Sequence, residues 1–278
     1  MSGEESRRAV TNSNGSDSLG ETIRNAELLV TCGPGGVGKT TTAAALGVAA
    51  ALAGRRVVVM TVDPARRLAD ALGLEEGAAA DEPHRVDDIP ELGDGPDDGE
   101  LWAVMLDAAS TFDRLVHEQT GSRQQADLIL DNPVYQAISK SLAGAQEYMA
   151  IERLHQLYTS GEWDLVIVDT PPSRHAIDLL EAPDRLIGFL SHPVYRALTM
   201  GQRAFAKVTN AAASMFLWAV RRLAGPQIVE DTVEFFRSLA NIEPGLRKRA
   251  EEVSVLLRDD VSSFVVVSSP RAEAIAES

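Results

Sequence analysis

Between residues 33 and 40 the chain reads Gly-Pro-Gly-Gly-Val-Gly-Lys-Thr, the complete pattern G-x-x-x-x-G-K-S/T. The apolar run Leu28-Leu29-Val30-Thr31 precedes it, and an Ala/Leu-rich stretch follows to about Ala53. This context predicts a strand that turns through a glycine-rich loop directly into a helix. Glycines let the backbone wrap closely enough for its N–H groups to point inward at phosphate oxygens. The site so formed spans Gly33, Gly35, Gly36, Val37, Gly38, Lys39, Thr40 and Thr41. Lys39 has the reach and charge to meet the β- and γ-phosphates of a nucleotide, and the Thr40 hydroxyl suits Mg²⁺. The following helix turns its positive dipole end to the anion.

Two carboxylates end further apolar runs. Asp169 follows Leu165-Val166-Ile167-Val168, and Asp63 follows the run from Arg56 to Thr61. In parallel sheets, ligands sit at the C-terminal ends of strands. Asp169 therefore suits the Walker-B role of holding Mg²⁺ directly or through water, and Asp63 could orient or activate an attacking water. Asp before Pro is equally a common turn former, so the residues alone leave Asp63 open between the two.

The rest of the chain alternates between strand-like and helical patterns. Residues 1 to about 20 are polar and aperiodic and read as a disordered tail. Residues 21–278 read as one α/β domain, a mainly parallel sheet flanked by helices on both faces, with helical insertions at about 110–160 and 176–257. The acidic, Pro- and Gly-rich stretch from Asp81 to Glu100 reads as an exposed loop. A last strand is expected from Ser263 to Ser268.

The formal charge of -15 opposes non-specific binding to nucleic acid or anionic lipid. One cysteine, Cys32, excludes an intrachain disulfide and a CxxC metal site, and points to a reducing, cytoplasmic setting. No apolar run reaches the roughly 20 residues of a spanning helix, and the first residues lack the apolar core of a secretion signal.

At these motifs the chain resembles the ArsA family of P-loop ATPases, which includes anion-pump ATPases and the guided-entry ATPases that deliver tail-anchored membrane proteins. Asp63-Pro64-Ala65-Arg66-Arg67-Leu68-Ala69-Asp70-Ala71-Leu72 is similar to the family's switch I, D-P-A-H-x-L-x-D-x-F. Asp169-Thr170-Pro171-Pro172-Ser173-Arg174-His175 is similar to its switch II, D-T-A-P-T-G-H, most of all to the actinobacterial form D-T-P-P-S-R-H. Ser141 to Tyr148 resembles the segment that precedes switch II. The resemblance runs from about Leu28 to the C-terminus. It implies an ATPase using ATP and Mg²⁺, a nucleotide-sandwich dimer closed by ATP, a water-positioning role for Asp63, and a switch II that relays the γ-phosphate to the helical region.

Three departures bear on those expectations. The family's loop reads K-G-G-x-G-K-S/T, and its first lysine reaches the partner's nucleotide; here Pro34 stands at that position. The metalloid-binding cysteines of arsenite pumps and the zinc CxxC of eukaryotic targeting factors are absent. The five histidines (His84, His117, His155, His175, His192) do not form ligand spacing. The chain also stops before the strand where the family usually supplies an adenine-contacting Asn, so it is expected to be a fragment or to build the base pocket differently. ATP rather than GTP is inherited from the resemblance.

Between Arg203 and Leu223, Phe205, Val208, Ala212, Met215, Phe216, Ala219 and Leu223 fall on one helical face. Such a stripe is usually core or a dimer interface; the sharper reading is a surface for an apolar client. The expectation overall is an ATP-hydrolysing switch, as a homodimer or as a heterodimer with a lysine-bearing ArsA-like paralogue, handling a membrane-protein or anion cargo. The alternative is a poorly hydrolysing regulatory subunit. A partition or positioning ATPase fits the charge less well, and a metalloid pump subunit fits the cysteine count less well.

Overall fold

The computed structural model describes residues 19–62, 67–74, 81–87, 89–93, 98–133, 135, 145–171, 178–199 and 226–270. Its centre is made by three apolar runs that cannot be left in water. These are β1 (Leu28–Cys32), β2 (Arg56–Thr61) and β5 (Leu165–Asp169). Every residue of β1 and β5 is buried, as is all of β2 except Arg56. Burial on both faces is the signature of parallel strands covered by helices on each side. With β3 (His84–Arg85), β4 (Glu100–Met105) and β6 (Ser262–Val266), the described strands form one sheet in the order β3-β4-β2-β5-β1-β6. All neighbours are parallel except β3 and β4.

Alternation along each strand divides the core into two layers. Leu28 and Val30, Val58 and Met60, and Val166 and Val168 face one side, against α4 (Ala108–Gln119), α6 (Ala145–Thr159) and α10 (Glu243–Leu256). Leu29, Val57, Val59, Leu165 and Ile167 face the other, against α1 (Leu19–Asn25), α2 (Lys39–Leu52) and α3 (Arg67–Leu72). Gly47 of α2 lies on this second face. A Cβ there would stand 2.7 Å from a Val59 methyl, so the glycine lets α2 sit close on the sheet.

The remaining described helices are α5 (Arg123–Leu130), α7 (Asp178–Ser191), α8 (Pro193–Thr199) and α9 (Pro226–Leu239). They form two smaller cores. Val116, Ala126, Ile129, Tyr135, Phe235 and Ile242 make one, in which Tyr135 stacks on Phe112 at 4.8 Å and donates to Asp113 at 2.5 Å. Leu186, Leu190, Tyr195 and Ala250 make the other. Among the described residues no helix is long and apolar enough to cross a membrane.

One local expectation is corrected. Residues 81–100 are not simply an exposed loop: His84 and Arg85 pair with Ala103 and Trp102, and Asp81 is fully buried. The run Glu100–Met105, unassigned in the sequence reading, is a strand paired along its whole length with β2. The aperiodic tail gives way to helix at Leu19, where Arg55 ties the end of α1 by donating to the carbonyls of Ile23 and Ala26 at 2.6 and 2.7 Å. Residues 1–18 lie outside the described residues, as does the apolar stripe from Arg203 to Leu223.

Candidate functional site

The glycine-rich loop leaves the C-terminal end of β1 through Gly33, whose φ of 141° is in the range that favours glycine. A Cβ at Gly33 would meet the Val267 carbonyl oxygen at 2.0 Å. That carbonyl is held in place because the Val267 amide donates to the Cys32 carbonyl at 2.8 Å. Gly36 and Gly38 also have positive φ, 76° and 97°. A Cβ on either would meet nothing within 4 Å, so these two glycines are needed for backbone conformation rather than for room.

Gly38 caps α2 without a side-chain oxygen. First-turn amides of a helix find no carbonyl within the helix itself, so this end is open to an external anion. Lys39 begins the helix yet is only 6% exposed, because its chain folds back over the loop. Its ammonium donates to the carbonyls of Gly33 and Pro34, each at 2.9 Å. These bonds hold a charge beside the loop's concave side. Gly35, Gly36, Gly38 and Thr41 are exposed, and Val37 and Thr40 are half-buried. Cys32, just before the loop, has its thiol pKa pushed up by burial, with the Lys39 charge pulling it back.

Three strands bring the next residues together. Register places Thr31, Asp169 and Thr61 side by side across β1, β5 and β2, on the face covered by α2. Asp169 is fully buried. Thr40 donates its hydroxyl hydrogen to Asp169 Oδ2 at 2.7 Å, and Thr61 donates to the same oxygen at 3.0 Å. A hydroxyl whose hydrogen is engaged by a carboxylate keeps lone pairs for a cation. The segment leaving β5 is anchored in turn: Thr170 donates its hydroxyl to the Thr31 carbonyl at 2.7 Å, and the Val62 amide donates to the Asp169 carbonyl at 3.1 Å.

The structure thus brings the whole loop from Gly33 to Thr41 to the end of β5 that carries Asp169. It does not settle Asp63, which with Pro64, Ala65 and Arg66 lies outside the described residues. The described segment before it ends at Val62, one residue after Thr61 and in the opposite core layer. Two residues to which the sequence assigns no site role of their own belong to this cluster, Thr61 and Thr170. The available signal for Thr61 was a hydroxyl ending an otherwise apolar strand, Val57-Val58-Val59-Met60.

The residues present fit a nucleotide triphosphate with Mg²⁺. The donor set around Thr40 and Asp169 is all oxygen, as a hard cation requires. The loop offers open backbone and a fixed ammonium for phosphates. A thiolate metal site has no counterpart here, since the one thiol is Cys32.

Comparison with known proteins gives a consistent result. The family model described as anion-transporting ATPase matches residues 26–278. An "ATPase get3" of Pyrenophora tritici-repentis is 26% identical over 239 residues, covering 86% of this chain and 63% of the relative. A "putative arsenical pump-driving ATPase 1" of Aquifex aeolicus is 24% identical over 257 residues, covering 90% of this chain and 57% of the relative. A further "ATPase GET3", from Malassezia globosa, is 29% identical over 154 residues, 55% of this chain and 41% of the relative. The chain spans about three fifths of the length of the first two.

Proposed function

Given that this chain belongs to the anion-transporting ATPase (ArsA) family, we propose that it binds ATP with Mg²⁺ at the Gly33–Thr41 loop and hydrolyses it to switch conformation. The observation that carries this reading is the 2.7 Å hydrogen bond from Thr40 to Asp169, which joins the phosphate loop to a buried carboxylate. Mg²⁺ at these two oxygens would neutralise charge on the β- and γ-phosphates. Lys39 would exchange its loop carbonyls for phosphate oxygens, and the loop amides would bind those oxygens at the start of α2. Asp63, following β2, would hold the attacking water. Switch II would respond through Thr170, whose tie to Thr31 links the β5 end to β1.

Family membership supports, as part of this proposal, an ATP-closed sandwich dimer and a membrane-protein or anion cargo. An arsenical cargo is the weaker choice, since a tri-thiolate metalloid site needs three cysteines and this sequence has one. A second reading, a poorly hydrolysing regulatory subunit, is favoured by Pro34. It sits buried where the family carries lysine, and its carbonyl is taken by Lys39.

The test is binding and turnover of ATP by the purified chain and by Lys39→Ala. The proposal expects Mg²⁺-dependent ATP binding in the first and its loss in the second. Equal affinity and rate in both would refute the site. Binding without turnover would select the regulatory reading.

A further inference from the structure

The reading above assigns no role to Thr61, yet this residue makes a direct contact with the centre of the site. It ends β2, is 1% exposed, and is in register with Asp169. Valine has nearly the same shape and would continue the run Val57-Val58-Val59 without burying a hydroxyl. A buried hydroxyl is costly unless it is hydrogen-bonded. Here it donates to Asp169 Oδ2 at 3.0 Å, the oxygen that also accepts from Thr40 at 2.7 Å. The flanking threonine on the other side, Thr31, directs its hydroxyl to the Val168 carbonyl instead. The carboxylate is thus held through one oxygen by two hydroxyls, one from the phosphate loop and one from β2.

We propose that Thr61 is a positioning residue for the metal–nucleotide site, fixing the Asp169 carboxylate so that Thr40 and Asp169 present a set pair of oxygens to Mg²⁺. The inference rests on the reading of the loop as a Mg·ATP site. With Thr61 engaged, one rotamer of Asp169 is held before the metal arrives. Without it, the carboxylate loses one of the two hydroxyls that hold Oδ2. Groups that orient a metal's own ligands commonly change metal affinity by roughly 10- to 100-fold when removed.

The experiment titrates Mg²⁺ against a fixed concentration of a fluorescent ATP analogue, following binding and, in parallel, phosphate release. Wild type, Thr61→Val and Thr61→Ser are compared, with binding in EDTA as the metal-free reference. Thr61→Val should need roughly tenfold more Mg²⁺ for half-maximal binding, while binding in EDTA and the melting temperature stay near wild type. Thr61→Ser, which keeps the hydroxyl, should return the titration to within about threefold of wild type. If the valine variant fails to fold, Thr61→Ala repeats the measurement without the second methyl. A valine or alanine variant with the wild-type Mg²⁺ dependence overturns the role of Thr61 alone. A wild-type protein that binds no nucleotide at any Mg²⁺ concentration overturns the site reading and this inference with it.

Discussion

The Thr40 hydroxyl and the Asp169 carboxylate meet at 2.7 Å although 129 residues separate them in the chain. Their meeting follows from strand order. β5 lies between β1 and β2, so the residue ending β5 stands beside the loop that leaves β1. A loop suited to an anion and a carboxylate suited to a cation are thereby made neighbours by the backbone alone.

Gly33 is the position where the loop tolerates least. An alanine there would put its Cβ 2.0 Å from the Val267 carbonyl oxygen and hold a φ of 141°. Left-handed backbone alone costs about 1–2 kcal/mol for an L-residue, and the overlap with backbone adds to it. Gly33→Ala should lower the melting temperature and weaken ATP binding together. Gly36→Ala, which meets nothing within 4 Å, should cost only the conformational part. Thermal denaturation of the two variants side by side measures the difference, and equal losses would mean the Val267 contact is unimportant.

Asp63 tests chemistry separately from binding. If it positions the attacking water, Asp63→Asn should leave Mg·ATP affinity largely intact and lower turnover by about 10²-fold or more. Equilibrium binding and single-turnover rates on the same preparation supply the two readouts. A parallel fall in both would make Asp63 a metal or structural residue.

The phosphate loop, both carboxylate-bearing strands and the two-faced α/β architecture were legible because each is written in local sequence. Apolar runs at 28–31, 56–61 and 164–168 are too short for helices and are bounded by turn residues. β4 was missed because Leu-Trp-Ala-Val-Met lacks β-branched residues apart from Val104 and abuts an acidic, glycine-rich stretch. Its identity comes from pairing with β2 and from Arg56, which lies over the rings of Trp102 and Trp163. The two-residue β3 has no sequence signature, since only β4 makes it a strand. Asp81 looked exposed because its partners, Thr111, Arg114 and Arg153, lie 30 to 72 residues away. Thr61 was overlooked because a threonine ending a strand is ordinary until its acceptor is known.

The Asp81 cluster predicts an unusual stability pattern. Asp81 is buried with φ of 70°, accepts from Thr111 at 2.8 Å, and pairs with Arg114 and Arg153. Burial nevertheless raises its pKa, against the pull of Thr111 and both arginines, and burial lowers that of Arg153. Both shifts have the same largest cause, desolvation, which for each group outweighs the pull of its partner's charge. Asp81→Asn keeps a residue that tolerates positive φ and removes the carboxylate charge that burial disfavours, so near neutral pH it should cost less than the roughly 3–5 kcal/mol usual for breaking a buried ion pair. The pH dependence has a definite sign. An acid whose folded pKa is raised loses its proton first in the unfolded chain, so its contribution to stability falls as pH rises from the ordinary 3.8 toward the folded value. Denaturant titrations at several pH values should show that slope in wild type and not in Asp81→Asn.

Pro34 carries the last prediction. In related ATPases a lysine at this position supplies positive charge to the partner's phosphates when the dimer closes. Charge delivered to a transferring phosphoryl group is commonly worth about 10²-fold or more in rate. Proline has neither charge nor N–H, and here it is buried with its carbonyl engaged by Lys39. A symmetric dimer of this chain should therefore hydrolyse ATP slowly while still binding it. Arg66, Arg67 or Arg174, each in a segment similar to a family switch, could in principle replace the lysine. The other route is a heterodimer, in which a paralogue with an intact K-G-G motif donates its lysine into this chain's site. Mixing the purified chain with its nearest lysine-bearing paralogue, then measuring mass and ATP turnover, separates the two. A stable mixed complex whose activity disappears when the paralogue's lysine is mutated establishes complementation. A homodimer that turns over ATP as fast as the mixture rules it out, and loss of that rate in Arg66→Ala, Arg67→Ala or Arg174→Ala would then identify the replacement.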